Sequence, residues 1–121
     1  MTIVLNHTIV PANDKKAAAS FFAKIFGLKT ERGGYFAPVR VNDQMTLLFD
    51  DDSDFESHHY AFHVSDAEFD AIFNRVKEAG LVYGSDPEHV DNGKLNHWGG
   101  GRGVYFTDPD GHLLELMTVP Q

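Results

Sequence analysis

Apolar and polar positions follow one rhythm, change to another, and then repeat the whole succession along this chain. Residues 2–10, TIVLNHTIV, are dominated by β-branched side chains and predict a strand that Pro11 is expected to end. In 14–27, DKKAAASFFAKIFG, Ala18, Phe21, Phe22, Ile25 and Phe26 recur at helical spacing. Asn13 or Asp14 is placed to cap that helix and Gly27 to stop it. GGYFAPVRV (33–41) and QMTLLF (44–49) read as two more strands joined by a turn. The order then restarts. HHYAFHV (58–64) is a strand. SDAEFDAIFNRVKEAG (65–80) is a helix with Ser65 and Asp66 as caps, a stripe of Phe69, Ile72, Phe73 and Val76, and Gly80 as the stop. LVYGS (81–85), GVYFTD (103–108) and HLLELMTV (112–119) follow as strands, the last two joined by a DPDG turn. Each half thus reads as a β-α-β-β-β unit, duplicated in pattern rather than in letters, with modules of about 1–57 and 58–121.

Composition narrows what such a chain can do. At 121 residues one domain is expected, large enough for a core of its own. With no cysteine, disulfides, thiolate nucleophiles and cysteine-ligated metal sites are excluded. A net charge of −8 argues against nucleic-acid binding. No apolar run approaches a membrane span and no signal peptide is visible, so a cytoplasmic location is expected. The acidic run 50–56, DDDSDFE, reads as a solvated loop and lacks the glycine and final glutamate of an EF-hand.

The chemistry is concentrated in polar residues set in apolar rows. Leu113, Glu115 and Met117 share one strand face, as do Leu5, His7 and Ile9. A carboxylate in a core-bound strand must be paired, protonated, exposed or bound to a metal. His59 and His63 share a face but stand roughly 13 Å apart along the strand, so only one can serve a given ion. Two imidazoles and one carboxylate suit a divalent transition metal with open positions. A hydrogen-bonded core histidine, and a Glu115 paired with Arg102, Arg40 or Lys94, are the plainer alternatives. Around them, Trp98 in its glycine-flanked loop and Tyr105 are expected to line a substrate cavity. Arg102 is expected to bind substrate or form a salt bridge, and His97 to act as an acid–base group or lie on a surface loop. The WGGGRG segment (98–103) is expected to be mobile.

Three stretches, LNHTIV with FFAKIFGL, HHYAFHVSDAEFDAI, and GRGVYFTDPDGHLLEL, resemble the vicinal oxygen chelate superfamily of glyoxalase I, extradiol dioxygenases, fosfomycin-resistance enzymes and bleomycin-resistance proteins. The resemblance covers nearly the whole chain. It implies an α+β fold of two βαβββ modules forming a curved open barrel around a metal. It matches His7, His59 and Glu115 to the ligands of a divalent ion (iron, manganese, nickel or zinc), with Glu115 also catalytic. His59 rather than His58 fits the family's H-x-A-F pattern. Leu48 stands where glyoxalase I carries a fourth ligand, with Thr46 two residues away. Ile9 stands where fosfomycin-resistance enzymes carry a catalytic threonine, and Thr8 points to the opposite face. The resemblance implies a metal-dependent enzyme, dioxygenase-like or lyase-like, acting on a small oxygen-bearing molecule as a homodimer. The alternative is a non-catalytic drug- or metabolite-binding protein of the bleomycin-resistance type.

Overall fold

A computed structural model describes residues 2–121. The chain forms two compact units, 1–56 and 57–121. The first holds β1 (His7–Ala12), α1 (Lys15–Phe26), β2 (Ala37–Arg40) and β3 (Thr46–Asp51). The second holds β4 (His59–His63), α2 (Asp66–Glu78), β5 (Gly103–Thr107) and β6 (Leu113–Met117). Their sheets have the same topology. The orders are β1-β3-β2 and β4-β6-β5, and in each the central strand runs parallel to the first and antiparallel to the last. Ahead of each antiparallel pair an isolated bridge, Thr30 to Val39 and Gly84 to Tyr105, stands for the remaining strand of a βαβββ unit. The fold is α+β, as the duplicated pattern predicts. Among the described residues, no helix is long and apolar enough to cross a membrane.

Both helices begin where the caps predict. Asp14 accepts from the amides of Lys16 and Ala17, both at 3.1 Å, and Gly27 leaves α1 at φ 71°, a left-handed turn that glycine adopts without strain. Ser65 accepts from the Glu68 amide at 3.1 Å while the Glu68 carboxylate accepts from the Ser65 amide at 3.0 Å, a reciprocal capping box. The Ser65 bonds hold the Glu68 carboxyl below its ordinary pKa. A depressed folded-state pKa means that this contribution is present above the usual carboxylate range and lost as pH falls through the folded value. Ser65→Ala is expected to lower stability by about 1 kcal/mol, read by urea denaturation at neutral pH.

Strand limits differ from expectation for local reasons. β1 starts at His7 because its partner β3 starts at Thr46, whose amide makes the last bond, to Asn6 O at 2.9 Å. Pro11 does not end β1; it lies within it, opposite Asp50, on an outer strand of this unit's sheet where a missing N–H is tolerated. β2 starts only at Ala37 because residues 33–36 turn tightly: a Cβ at Gly33 would lie 2.0 Å from Phe36 O. LVYGS contributes a single bridge. Beyond it, Ser85 N bonds Asn92 Oδ1 at 3.2 Å and Asp86 O at 3.1 Å takes the His89 amide, and these local bonds compete with a ladder.

Each sheet buries the face that its helix covers. In the first unit Val10, Ala12, Val39, Leu47 and Phe49 are buried with Ala18, Ala19, Phe22 and Ile25 of α1, and the Phe22 and Phe49 rings lie 6.0 Å apart. In the second, Val104, Phe106, Leu114 and Leu116 are buried along with Phe69, Ile72 and Val76 of α2. By strand alternation, His7, His59, Tyr105 and Glu115 all occupy the opposite faces of their sheets.

Candidate functional site

β6 is the middle strand of the second sheet, and Glu115 is its central residue. Register places Ala61 on one side of it and Tyr105 on the other. His59, two residues before Ala61, therefore reaches Glu115 diagonally, and its Nε2 lies 3.0 Å from Glu115 Oε1. The carboxylate is 4% exposed and the imidazole 46%, so the pair has a buried acidic end and an open basic end. Tyr105 stands directly opposite Glu115 across the hairpin. Burial first, and then the neighbouring Glu115 carboxylate, push the Tyr105 phenol well above its ordinary pKa. The Gln121 amide stands 3.5 Å from Glu115 Oε2. The apolar row thus accepts its carboxylate because His59 meets one oxygen and Gln121 stands near the other.

Aromatic rings complete this face. The Tyr105 ring lies 5.8 Å from the His59 ring and meets Trp98 edge-on at 6.0 Å. Trp98 is held by Asn96, whose Oδ1 accepts its amide at 3.2 Å and whose Nδ2 donates to Ser85 O at 2.8 Å. Two of the glycines that follow, Gly99 and Gly101, stand against Val119. They permit close approach: a Cβ at Gly101 would lie 2.6 Å from Val119 Cγ2, and Arg102 N bonds Thr118 Oγ1 at 2.9 Å.

Arg102 and His97 have other partners. Arg102 bonds Asp70 at 2.7 Å and Asp66 at 3.0 Å, with its guanidinium 4.4 Å over the Phe69 ring, which is the salt-bridge alternative. His97 is exposed, with Nδ1 3.2 Å from Gly101 O across its own loop. His63 faces Thr118 O at 3.2 Å. His112 is buried in the DPDG turn, where its Nδ1 accepts the His58 amide at 2.9 Å and its own amide donates to Asp108 at 2.9 Å. His7 lies in the first unit with Nδ1 2.7 Å from Asn6 Oδ1, and its register partner is Thr46, with Leu48 two residues along the same face. Among the described residues no three His, Asp or Glu side chains are arranged as a ready metal cage. A cleft of about 450 Å³ lies in the first unit beside Lys15, Lys16 and Arg32, and none of the expected site residues lines it.

Residues 4–116 match the family model described as the glyoxalase/bleomycin resistance protein/dioxygenase superfamily. The chain belongs to that superfamily. Among solved structures of the superfamily's fold, oxidase ChaP-H2 is similar at 50% identity, with a TM-score of 0.94 over 99% of this chain and 96% of that one. Oxidase ChaP-H1 is similar at 47% identity, with a TM-score of 0.93 over 98% of each chain. Metallothiol transferase FosB of Lysinibacillus sphaericus (strain C3-41) is 26% identical over 94% of this chain and 81% of its own length. Sequence reasoning assigned Tyr105 to a substrate wall and missed that it stands directly opposite Glu115. The signal was present, since a hairpin centred on residue 110 sets 105 opposite 115.

Proposed function

We propose that this superfamily member is a metal-dependent enzyme of oxidase or dioxygenase type. His59 and Glu115 hold the ion together with His7, supplied by the same chain or by a second copy in a homodimer. The observation that carries the reading is the 3.0 Å separation of His59 Nε2 and Glu115 Oε1, with the carboxylate buried and the imidazole open. Two ligand atoms each about 2.1 Å from an ion, at right angles, stand ~3 Å apart. The donors also suit a borderline divalent ion: neutral nitrogen and carboxylate oxygen, without sulfur. When bound, such an ion draws two oxygens of a small substrate together and stabilises negative charge developing on them. Around it the chain's own groups bind and orient. Trp98 and Tyr105 offer aromatic walls for an oxygen-bearing molecule. With Arg102 neutralised by Asp66 and Asp70, the same region offers no free cation from that residue, which disfavours a phosphonate-like anion. Likeness to two proteins named oxidases over nearly the whole chain favours oxidation over the lyase reading.

The same 3.0 Å contact also fits a simple ion pair, and this keeps a binding protein of the bleomycin-resistance type as the second reading. Metal analysis of protein purified without chelator separates them. About one ion per site is expected in the wild type, and His59→Ala is expected to lose it. Wild-type protein that stays empty after soaking with iron, manganese, nickel or zinc would instead establish the binding protein.

A further inference from the structure

The cleft of about 450 Å³ in the first unit is walled by α1 and by the loop that leads into β2. On the helix side Lys15 and Ala19, and Lys16 and Ser20, stand one turn apart. The loop side is held in shape by the bridge from Thr30 to Val39 and by the Glu31 amide, which bonds Pro38 O at 3.1 Å. Gly33 tightens it further, since a Cβ there would lie 2.6 Å from Pro38 Cδ. Lys15 ties the two walls together: its ammonium donates to Tyr35 O and stands 3.8 Å from Asp51. The first amides of the helix are already taken. Asp14 accepts those of Lys16 and Ala17, and Asp51 accepts that of Lys15.

Charge in this cleft runs against that of the chain. In a protein of net charge −8, three of the ten Lys and Arg residues line it, Lys15, Lys16 and Arg32. The acid among the lining residues, Glu31, stands 3.6 Å from Arg40 Nε. Lys15 is engaged in holding the walls. Among the described residues, the Lys16 ammonium and the Arg32 guanidinium enter no ion pair. Phe36, Ala37 and Pro38, all half-buried, supply an apolar lining beside these charges.

We propose that this cleft is a second binding site of the chain, and that it takes a small organic phosphate monoester. Its volume falls within the ~300–1,000 Å³ of small-molecule pockets. Two unpaired cations balance a phosphate monoester, which carries about −1.5 to −2 charge near neutral pH, whereas a monocarboxylate would leave one of them unmatched. The planar Arg32 guanidinium can meet two phosphate oxygens at once, and Lys16 adds a point charge. The apolar lining takes up an organic body, which inorganic phosphate lacks. This inference does not depend on the metal-site reading.

Phenyl phosphate is the probe, titrated into isotope-labelled protein and followed by the amide resonances. Saturable shifts are expected at residues 15–20 and 30–37. The double variant Lys16→Gln, Arg32→Gln replaces two exposed side chains, so it stays folded, and is expected to weaken binding about 10-fold. Lys24→Gln removes a charge from the last turn of α1, outside the cleft, and is expected to bind like the wild type. Benzoate and inorganic phosphate are each expected to bind more weakly than phenyl phosphate. The proposal is overturned if no saturable shifts arise at those residues, if the double variant binds like the wild type, or if Lys24→Gln loses as much affinity, which would make net charge the cause. Benzoate binding as tightly would overturn the phosphate assignment, and inorganic phosphate binding as tightly would overturn the role of the apolar lining.

Discussion

Replacing Glu115 by glutamine is expected to reduce metal affinity by on the order of 100-fold or more while leaving the protein folded. Loss of a supporting residue around a metal typically weakens binding about 10- to 100-fold, and loss of a charged ligand exceeds that. The amide matches the carboxylate in volume and can still pair with His59 Nε2. It removes a buried charge without opening a cavity. If the pair serves only as an ion pair, the outcome is different. Removing one partner of such a pair is destabilising, whereas metal content would not respond. His59 is half exposed, so water can take the place of the lost partner, and the stability change is expected to be small. Chelator competition and a urea transition on the same preparations distinguish the two results.

Much of this was legible because it is local. Asp14, Gly27 and Ser65 mark helix ends by chemistry contained within a few residues, and the helices begin and end there. Strict alternation was enough to put Glu115 and His59 on site-facing positions, since period two leaves no other choice once Leu114 and Leu116 go to the core. What escaped was non-local or permissive. Arg102 chose Asp66 and Asp70, 36 and 32 residues away, from 18 acidic residues, and no local pattern singles them out. The three glycines after Trp98 promised mobility, yet two of them, Gly99 and Gly101, answer to a side chain, Val119, that packs where a Cβ would have to go. Strand lengths depended on where a partner begins, which is why β1 is cut at His7 by the start of β3.

Phe106→Ala is expected to lower stability by about 3–5 kcal/mol, a large share of the roughly 5–15 kcal/mol that holds a typical domain together. Phe106 is fully buried and pairs in register with Leu114, itself 2% exposed. Alternation sends both to the buried face of the second sheet, while Tyr105 and Glu115, one residue along, point the other way. Truncation leaves a ring-sized cavity that the neighbouring Val104 and Leu116 can fill only by moving strands. Phe106→Leu keeps most of the volume and is expected to lose much less. The urea midpoint should fall in that order, wild type, Phe106→Leu, Phe106→Ala. The two faces of one sheet then make separable claims. At low temperature and without denaturant, Phe106→Ala that is still folded should bind Co²⁺ like the wild type, because His59 and Glu115 keep their contact. A folded Phe106→Ala that had lost the ion would show that the helix face sets the spacing on the site face, and that the hydrogen bonds around Glu115 are not sufficient to hold it.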